Sequence, residues 1–324
     1  MRRMLGFAMP IFAAAALMSA CGTTESPSET PAASSGPVTV TDSRGKAVTL
    51  PAAGRKVVAL EWGEAEMLVT LGVMPVGVAD TKGYGTWVTA AKLDASVKDV
   101  GTRGEPSVDS IVALQPDLVV MEAERDSPLI GQLEKFVPVI VTKGSDASRN
   151  LERMREDFNM IATAVGKTQE ARRALADFDQ AIADAKAKIA AAGHAGKGFA
   201  VADGWKEGST ISIRMFGQGA LVSQTAIALG LKNAWNGDVD AAWGLGTTDV
   251  EGLSPLKDSD IRFFYNASDG DDVFANGLAG NQIWDSLAFV KNKQLYKMPN
   301  GIWTFGGPLS CRQHIDAIVK AFTA

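Results

Sequence analysis

The run Leu118-Val119-Val120-Met121 is one of four short apolar segments in the first half of this 324-residue sequence. The others are Val57 to Leu60, Val76 to Ala79 and Val139 to Val141, and helical patterns separate them. Short apolar runs that alternate with helices are typical of buried parallel strands. The sequence therefore predicts an α/β lobe over residues 38–166.

A much longer helix is predicted to follow, with Thr168 as its N-cap. Its apolar residues recur at alternating spacings of four and three, which places them on one face of a helix. About 24 residues at 1.5 Å per residue would span roughly 36 Å, enough to cross a small domain. We expect residues 167–193 to form a strut, with this apolar stripe: Ala171, Leu175, Phe178, Ile182, Ala185 and Ile189.

The α/β pattern resumes beyond the strut and echoes the first half. Val108-Asp109-Ser110-Ile111 precedes one expected strand, and Val250-Glu251-Gly252-Leu253 precedes another at Ile261 to Tyr265. The matched segments lie in the same order on both sides of the strut. The predicted fold class is therefore α/β, with two Rossmann-like lobes (38–166 and 194–324) bridged by a single long helix, and a cleft between the lobes.

The N-terminus resembles a bacterial lipoprotein signal. Arg2 and Arg3 precede an apolar run that is too short for a membrane-spanning helix, and Cys21 follows small residues, although Met18 stands where such signals usually have Leu. We expect residues 1–20 to be removed and Cys21 to carry the lipid. Residues 21–37 read as a flexible tether, because they lack large apolar side chains. The resemblance implies an extracytoplasmic protein, lipid-anchored to the cell membrane.

Composition disfavours several function classes. With Cys21 expected to carry a lipid, two His and one Cys remain, too few for the usual four-ligand Cys/His zinc site. A net charge of −5 argues against a broad nucleic-acid surface. No Gly-x-Ser-x-Gly occurs, and Gly166-Lys167-Thr168 lacks the first glycine of a phosphate-binding loop, because Ile161 stands there. We predict no catalytic residue and no metal site. Cys311, the one thiol left in the mature chain, is expected to be buried.

Aromatic residues and an arginine lie at expected strand ends and loops. Trp62 follows the first strand, Tyr84 and Trp87 follow the second, and Arg103 lies between glycines. The second half adds Trp243, Trp303 and Phe305 near glycines. Loops at the carboxyl ends of strands line the crevice of open α/β sheets. These residues are therefore predicted to line a pocket, the alternative for each tryptophan being the core.

Several motifs resemble the ferric-hydroxamate-binding proteins of siderophore ABC importers. They are Val58 to Trp62, Asp99-Val100-Gly101-Thr102-Arg103-Gly104-Glu105-Pro106, Asn233 to Gly237, and Gly301 to Gly306. The resemblance implies a class III periplasmic-binding-protein fold with limited hinge motion. It also implies a monomer that binds an iron(III)-siderophore complex, with no other cofactor and no enzymatic activity.

By the same resemblance, Arg103 would hold the hydroxamate oxygens, and Trp62, Trp243, Trp303 and Phe305 would form aromatic walls. The ligand-binding set is completed by Tyr84, Trp87 and Arg125. One member of this family has Tyr where Arg125 falls and again at the position of Phe305. An additional arginine would suit a more anionic siderophore, but Arg125 could equally pair with Glu122, Glu124 or Asp126.

Asp109 and Glu251 occupy positions that resemble the carboxylates with which such proteins dock onto arginines of the permease, and through it onto the ATPase. Acids at helix starts also interact favourably with the helix dipole, which is the simpler explanation. We expect docking, because there is one such acid in each lobe.

Two other functions remain open. Cobalamin or haem would also suit tryptophan walls, because both are large flat ligands. An extracellular hydrolase or reductase that processes siderophores is the competing enzyme class, but no nucleophile or cofactor motif supports it. A carrier of free zinc or manganese is disfavoured by the two histidines.

Overall fold

The computed structural model describes residues 36–123, 127–268, 270 and 272–323. The expected signal peptide, most of the tether, Cys21 and Arg125 lie outside the described residues. Within the part described, no helix combines the length and apolar character needed to cross a membrane.

The N-terminal half carries a hairpin and a parallel sheet. The hairpin pairs β1 (Val38–Thr41) with β2 (Ala47–Leu50). All the strand pairs of the sheet are parallel, in the order β5-β4-β3-β6-β7. Its strands are β3 (Val57–Ala59), β4 (Gly77–Val78), β5 (Lys98–Asp99), β6 (Leu118–Glu122) and β7 (Val139–Thr142). The four predicted strands are confirmed, and β5 is an additional edge strand.

The C-terminal half carries a second sheet in the order β11-β9-β8-β12-β13, with β10 also paired to β8. Its strands are β8 (Gly198–Glu207), β9 (Thr210–Phe216), β10 (Lys232–Asn233), β11 (Leu245–Thr248), β12 (Ile261–Asn266) and β13 (Leu295–Lys297). The sheet is mixed, because β8 turns back at Gly208 into antiparallel β9. The strand pattern described above for the second half of the sequence does not predict this hairpin.

The described residues of the N-terminal half form five α-helices, and a sixth leads out of that half. They are α1 (Trp62–Thr70), α2 (Thr81–Trp87), α3 (Val108–Ala113), α4 (Ser127–Leu133), α5 (Asn150–Ala164) and α6 (Thr168–Ala191). The C-terminal half adds α7 (Leu221–Ala228), α8 (Gln282–Ser286), α9 (Ala288–Lys291) and α10 (Pro308–Thr323). A 3₁₀ turn occupies Glu251–Leu256, and a π turn occupies Val273–Gly277.

The long helix α6 connects the two sheets, as predicted, and packs against α5, α7 and α10. Its apolar stripe faces the core, where Ala171, Phe178 and Ile189 are buried. One detail was wrong: Thr168 is the first helical residue, and the N-cap is Lys167, whose side chain makes no capping bond. The first turn instead holds an ion pair between Lys167 and Glu170, with the N and O atoms 2.9 Å apart.

The structure shows how two helices begin or end, and it places a helix where a loop was expected. Ser107 caps α3 by accepting a bond from the Ser110 amide, and Gly72 has a φ of +76° after α1. Tyr84 and Trp87, however, lie on helix α2 and not in a loop. The Asp80 side chain begins this helix by accepting a hydrogen bond from the Gly83 amide.

Candidate functional site

A cavity of about 670 Å³ lies at the carboxyl ends of the first parallel sheet. Glu61 and Trp62 follow β3, Arg103 follows β5, Glu122 ends β6 and Gly144 follows β7, and all five line it. This is where open α/β sheets bind ligands. The opposite wall comes from the C-terminal half, with Asp203 of β8, Arg214 of β9, Leu221 of α7, and residues 243 and 303–306.

Arg103 is held by an ion pair and two aromatic rings. Its Nε and Nη2 donate to Oε2 of Glu61 at 2.9 and 2.6 Å. Its guanidinium carbon lies 4.3 Å from the centre of the Trp62 ring and 5.3 Å from that of Trp303. Guanidinium groups stack favourably on tryptophan faces. Arg103 is therefore positioned before any ligand arrives.

The backbone turn that carries Arg103 depends on Gly101. Its φ is +109°, and a Cβ there would lie 2.9 Å from the Glu105 carbonyl oxygen. A residue with a side chain would be strained here, both by the positive φ and by the close contact with the Glu105 oxygen. The glycine thus closes the turn between β5 and α3 and directs Arg103 into the cavity.

The aromatic residues form a continuous network across the cavity. The Trp303 ring centre lies 4.9 Å from that of Trp62, 6.3 Å from that of Trp87 and 5.2 Å from that of Phe305. Phe305 in turn lies 5.2 Å from Trp243, nearly perpendicular to it. Such edge-to-face pairs are the favoured geometry for aromatic rings. The structure therefore brings together five of the predicted wall residues from both halves of the chain.

Trp62 is both core and wall. Only 4% of it is exposed, and its indole N–H donates to the carbonyl oxygen of Ala79 at 3.1 Å. The bond fixes the ring against the first sheet while one part of it still lines the cavity. The two readings that the sequence left open for this tryptophan are thus compatible.

Tyr84 does not join the cavity lining. It is buried in the core, and its hydroxyl donates to the Ala91 carbonyl oxygen at 2.6 Å. Burial raises the pKa of this phenol above its usual value. Its expected role as a wall residue is therefore not supported by its position, because α2 turns this side chain inward and directs Trp87 toward Trp303.

A second arginine, missed by sequence analysis, lines the opposite wall. Arg214 of β9 lies directly across from Asp203 of β8, and its Nε donates to Asp203 Oδ1 at 2.9 Å while Nη2 donates to Oδ2. Its guanidinium carbon lies 5.5 Å from the Phe305 ring centre. The β8–β9 hairpin places Arg214 opposite Asp203, so a prediction of this ion pair from sequence requires a prediction of that hairpin.

Buried carboxyl groups in the floor were also missed. Glu64 and Asp157 line the cavity, and each is almost fully buried. Burial, reinforced by the charge of Glu61, raises the pKa of Glu64 to about 7, although Thr142 Oγ1 donates to its carboxyl. Burial also raises the pKa of Asp157, against the opposing effect of its ion pair with Arg153. The sequence does contain a signal for Glu64, because an acid within an otherwise apolar helix such as α1 indicates a buried carboxyl group.

Asp109 and Glu251 are both exposed, each in the first turn of its helix. The helix of Asp109 leads into β6, and the 3₁₀ turn of Glu251 leads into β12. These two strands are equivalent, because each pairs in parallel with the first strand of its sheet, β3 and β8. Cys311, as expected, is buried, and burial raises the pKa of its thiol to about 12.

Several known proteins are similar to this chain in sequence. The iron(3+)-hydroxamate-binding protein FhuD of Escherichia coli (strain K12) is 27% identical over 269 residues, covering 82% of this chain and 86% of that protein. The probable siderophore-binding lipoprotein YfiY of Bacillus subtilis (strain 168) is 24% identical, covering 97% of this chain and 96% of that protein. Both relatives are matched over most of their length.

Solved structures agree on the fold. The siderophore-binding protein FhuD of Vibrio cholerae, crystallised with Fe³⁺-Desferal, superposes with a TM-score of 0.70 at 23% identity, covering 83% of this chain and 98% of that one. The family profile described as periplasmic binding protein matches residues 57–301, most of the described chain. Members of this family bind substrates and are not enzymes. The chain belongs to the periplasmic binding protein family.

Proposed function

We propose that this protein captures a ferric siderophore in the cavity and delivers it to an ABC permease. The observation that best supports this proposal is the cavity itself, whose walls are aromatic rings contributed by both halves of the chain. Its lining includes carboxyl groups, but among the described residues no group of three or more His, Cys, Asp or Glu side chains is arranged to hold a metal ion. A site of this kind recognises iron through the surface of its chelator and not by direct coordination.

A hydroxamate siderophore is the best-supported ligand. A ferric trihydroxamate centre is bulky, and flat aromatic surfaces with a positioned guanidinium can bind it by shape and by hydrogen bonds to its oxygens. FhuD of E. coli is named for this ligand class. Other relatives are named for other ligands, such as the Fe(3+)-citrate-binding protein YfmC of B. subtilis, 28% identical over 282 residues.

Delivery is proposed to use Asp109 and Glu251 as the two docking carboxylates. Both are exposed, and the helix of Asp109 and the 3₁₀ turn of Glu251 lead into equivalent strands of the two sheets. We further propose an extracytoplasmic location with a lipid on Cys21, supported by the sequence of the N-terminus and by the lipoprotein name of YfiY. Replacement of Cys21 by Ser should release the protein from the membrane fraction.

The direct test is a titration of the protein, followed by tryptophan fluorescence. Ferric hydroxamate, catecholate and citrate complexes are added separately, with cobalamin and haemin as competing ligand classes. We expect saturable quenching by a ferric hydroxamate, with the chelate recovered unchanged afterwards. Absence of quenching by every ferric siderophore, or release of a modified chelator, would overturn the proposal.

A further inference from the structure

The sheet of the C-terminal half continues outward beyond the cavity lining. Asp203 of β8 and Arg214 of β9 lie opposite each other, and both line the cavity. Trp205 is two residues farther along β8, where burial decreases toward the end of the strand. Residues two apart on a strand point to the same face of the sheet. Trp205 therefore lies on the face that lines the cavity, one position farther out.

An arginine joins Trp205 to the aromatic network of the cavity. The guanidinium carbon of Arg214 lies 5.9 Å from the Trp205 ring centre and 5.5 Å from that of Phe305. Phe305 in turn packs against Trp303 and Trp243. Guanidinium groups pack favourably against aromatic rings, so Arg214 forms a continuous surface with these two rings. This surface leads from the cavity to Trp205.

The Trp205 ring is held in place but is only partly covered. Its indole N–H donates to Glu207 Oε1 at 2.9 Å, and the Ser212 hydroxyl donates to Glu207 Oε2 at 3.2 Å. Trp205 is nevertheless 36% exposed, which is the largest exposed fraction among the seven tryptophans. A ligand that stacks on a ring already held in one orientation loses little side-chain entropy.

The opposite face of the β8–β9 hairpin packs against the π turn at Val273–Gly277. A Cβ at Gly204, the residue before Trp205, would lie 3.0 Å from Val273 Cγ2. A Cβ at Gly277 would lie 2.6 Å from Ile211 Cδ1, near the tip of the hairpin. This packing supports the hairpin from behind and fixes the direction in which Trp205 faces.

We propose that Trp205 forms an outer subsite for the arm of a ferric siderophore, the part of the chelator that projects from the iron centre beyond the cavity. The subsite favours an arm that ends in a planar apolar group, because such a group stacks on the indole and covers its exposed part. Arg214, fixed by its ion pair with Asp203, forms the cavity side of the subsite. This inference rests on the proposed function and narrows its ligand class.

The test compares two arms on one iron centre. The iron complexes of N-acetyl and N-benzoyl desferrioxamine B share the trihydroxamate centre and carry no charge on the arm, and only the second ends in an aromatic ring. Isothermal titration calorimetry of the protein should show that the benzoyl chelate binds roughly five- to tenfold more tightly, as expected for one additional aromatic contact.

Variants assign this preference to Trp205. Trp205→Ala should reduce the ratio of the two affinities to within about twofold and leave the affinity for the acetyl chelate nearly unchanged, because the inner aromatic network is intact. Trp205→Phe should keep most of the ratio, since a phenyl ring still offers a stacking surface. The matched control is Phe136→Ala, which removes a 63% exposed aromatic ring outside the cavity lining and should leave the ratio at its wild-type value. Far-UV circular dichroism checks that each variant is folded.

Equal affinities of the wild type for the two chelates, or a ratio that persists in Trp205→Ala, would overturn the outer subsite and leave the proposed function standing. Equal losses of both chelates in Trp205→Ala would also overturn it, because they would show that Trp205 acts on the iron centre and not on the arm. If neither chelate binds the wild type, the hydroxamate assignment fails and the inference fails with it.

Discussion

The carboxylate of Glu66, in the N-terminal half, accepts two hydrogen bonds from Ser310 in the C-terminal half. The Ser310 amide donates to Oε1 at 2.9 Å, and its hydroxyl donates to Oε2 at 2.5 Å. Glu66 is fully buried, and Ser310 lies in the first turn of α10. Gly306 makes the approach possible, because a Cβ there would lie 2.4 Å from Glu66 Oε2. An acid of one half thus caps a helix of the other.

Glu66→Ala should destabilise the protein by about 1–3 kcal/mol, because it leaves two buried donors of Ser310 without their acceptor. Ser310→Ala, which removes only the hydroxyl donor, should cost less. Urea unfolding measures both, with the exposed Glu105→Ala as a control expected to stay within about 0.5 kcal/mol of the wild type. A Glu66→Ala variant as stable as that control would show that this contact does not stabilise the fold.

Trp303 lies at the centre of the aromatic network and should dominate ligand affinity. Its ring contacts Trp62, Trp87 and Phe305, and it is half-buried beside Arg103. Trp303→Ala should weaken binding of a ferric hydroxamate by on the order of 30-fold or more, because buried aromatic anchors contribute about 2 kcal/mol or more. Far-UV circular dichroism should stay unchanged.

The matched control is Phe136→Ala, which removes an exposed aromatic side chain outside the cavity lining. Its affinity should remain within about twofold of the wild type. Isothermal titration calorimetry measures both variants without relying on tryptophan emission. Equal losses in the two variants would place the ligand elsewhere.

The sequence was sufficient for the parts of the fold that local patterns determine. Short apolar runs predict β3, β6 and β7, and a continuous apolar stripe predicts α6. These patterns show that a face is buried without showing which element packs against it. No continuous apolar run marks the hairpin of β8 and β9; its second strand, Thr210–Phe216, shows instead the polar/apolar alternation of a half-buried strand. The mixed second sheet followed from that hairpin.

The residues of the site also fall into two groups, those that local sequence predicts and those that it does not. Glycine-flanked tryptophans and Arg103 were predictable, because their surroundings are unlike those of core residues. Glu61, Asp203 and Arg214 were not, because each acts through a partner that is distant in sequence or on an adjacent strand. Tyr84 was misassigned because α2 was not recognised. The N-cap of α2 is Asp80, whose φ is +53°. Sequence patterns do not indicate a positive φ at a residue other than glycine.

The docking proposal predicts a separation between binding and transport. The double variant Asp109→Lys/Glu251→Lys should bind the ferric hydroxamate with unchanged affinity, because both residues are exposed and lie outside the cavity lining. Uptake of radioactive iron by cells should fall at least tenfold, since reversed charges repel basic groups of a permease. The control is Asp285→Lys, another exposed acid, for which uptake should persist. Normal uptake by the double variant would exclude these residues as docking groups.

Glu64 makes stability depend on pH in a predictable direction. Its pKa is about 7 in the folded protein, compared with 4.5 for an ordinary glutamate, because burial and the charge of Glu61 disfavour ionisation. Between these values the folded chain holds a proton that the unfolded chain has lost. Stability from this group is therefore complete below about pH 4.5 and is lost as pH rises toward 7. The full loss corresponds to about 3 kcal/mol.

Glu64→Gln should remove this dependence while keeping an acceptor for Thr142 Oγ1. The free energy of urea unfolding is measured for both proteins from about pH 5 to pH 8. Other groups titrate here too: the pKa of His314 is lowered to about 4 by burial, so its contribution is lost as pH falls. Such contributions are common to both proteins and cancel in the difference. That difference should favour the variant increasingly with pH, by about 2–3 kcal/mol at pH 8, and parallel profiles would contradict a protonated Glu64 in the floor of the cavity.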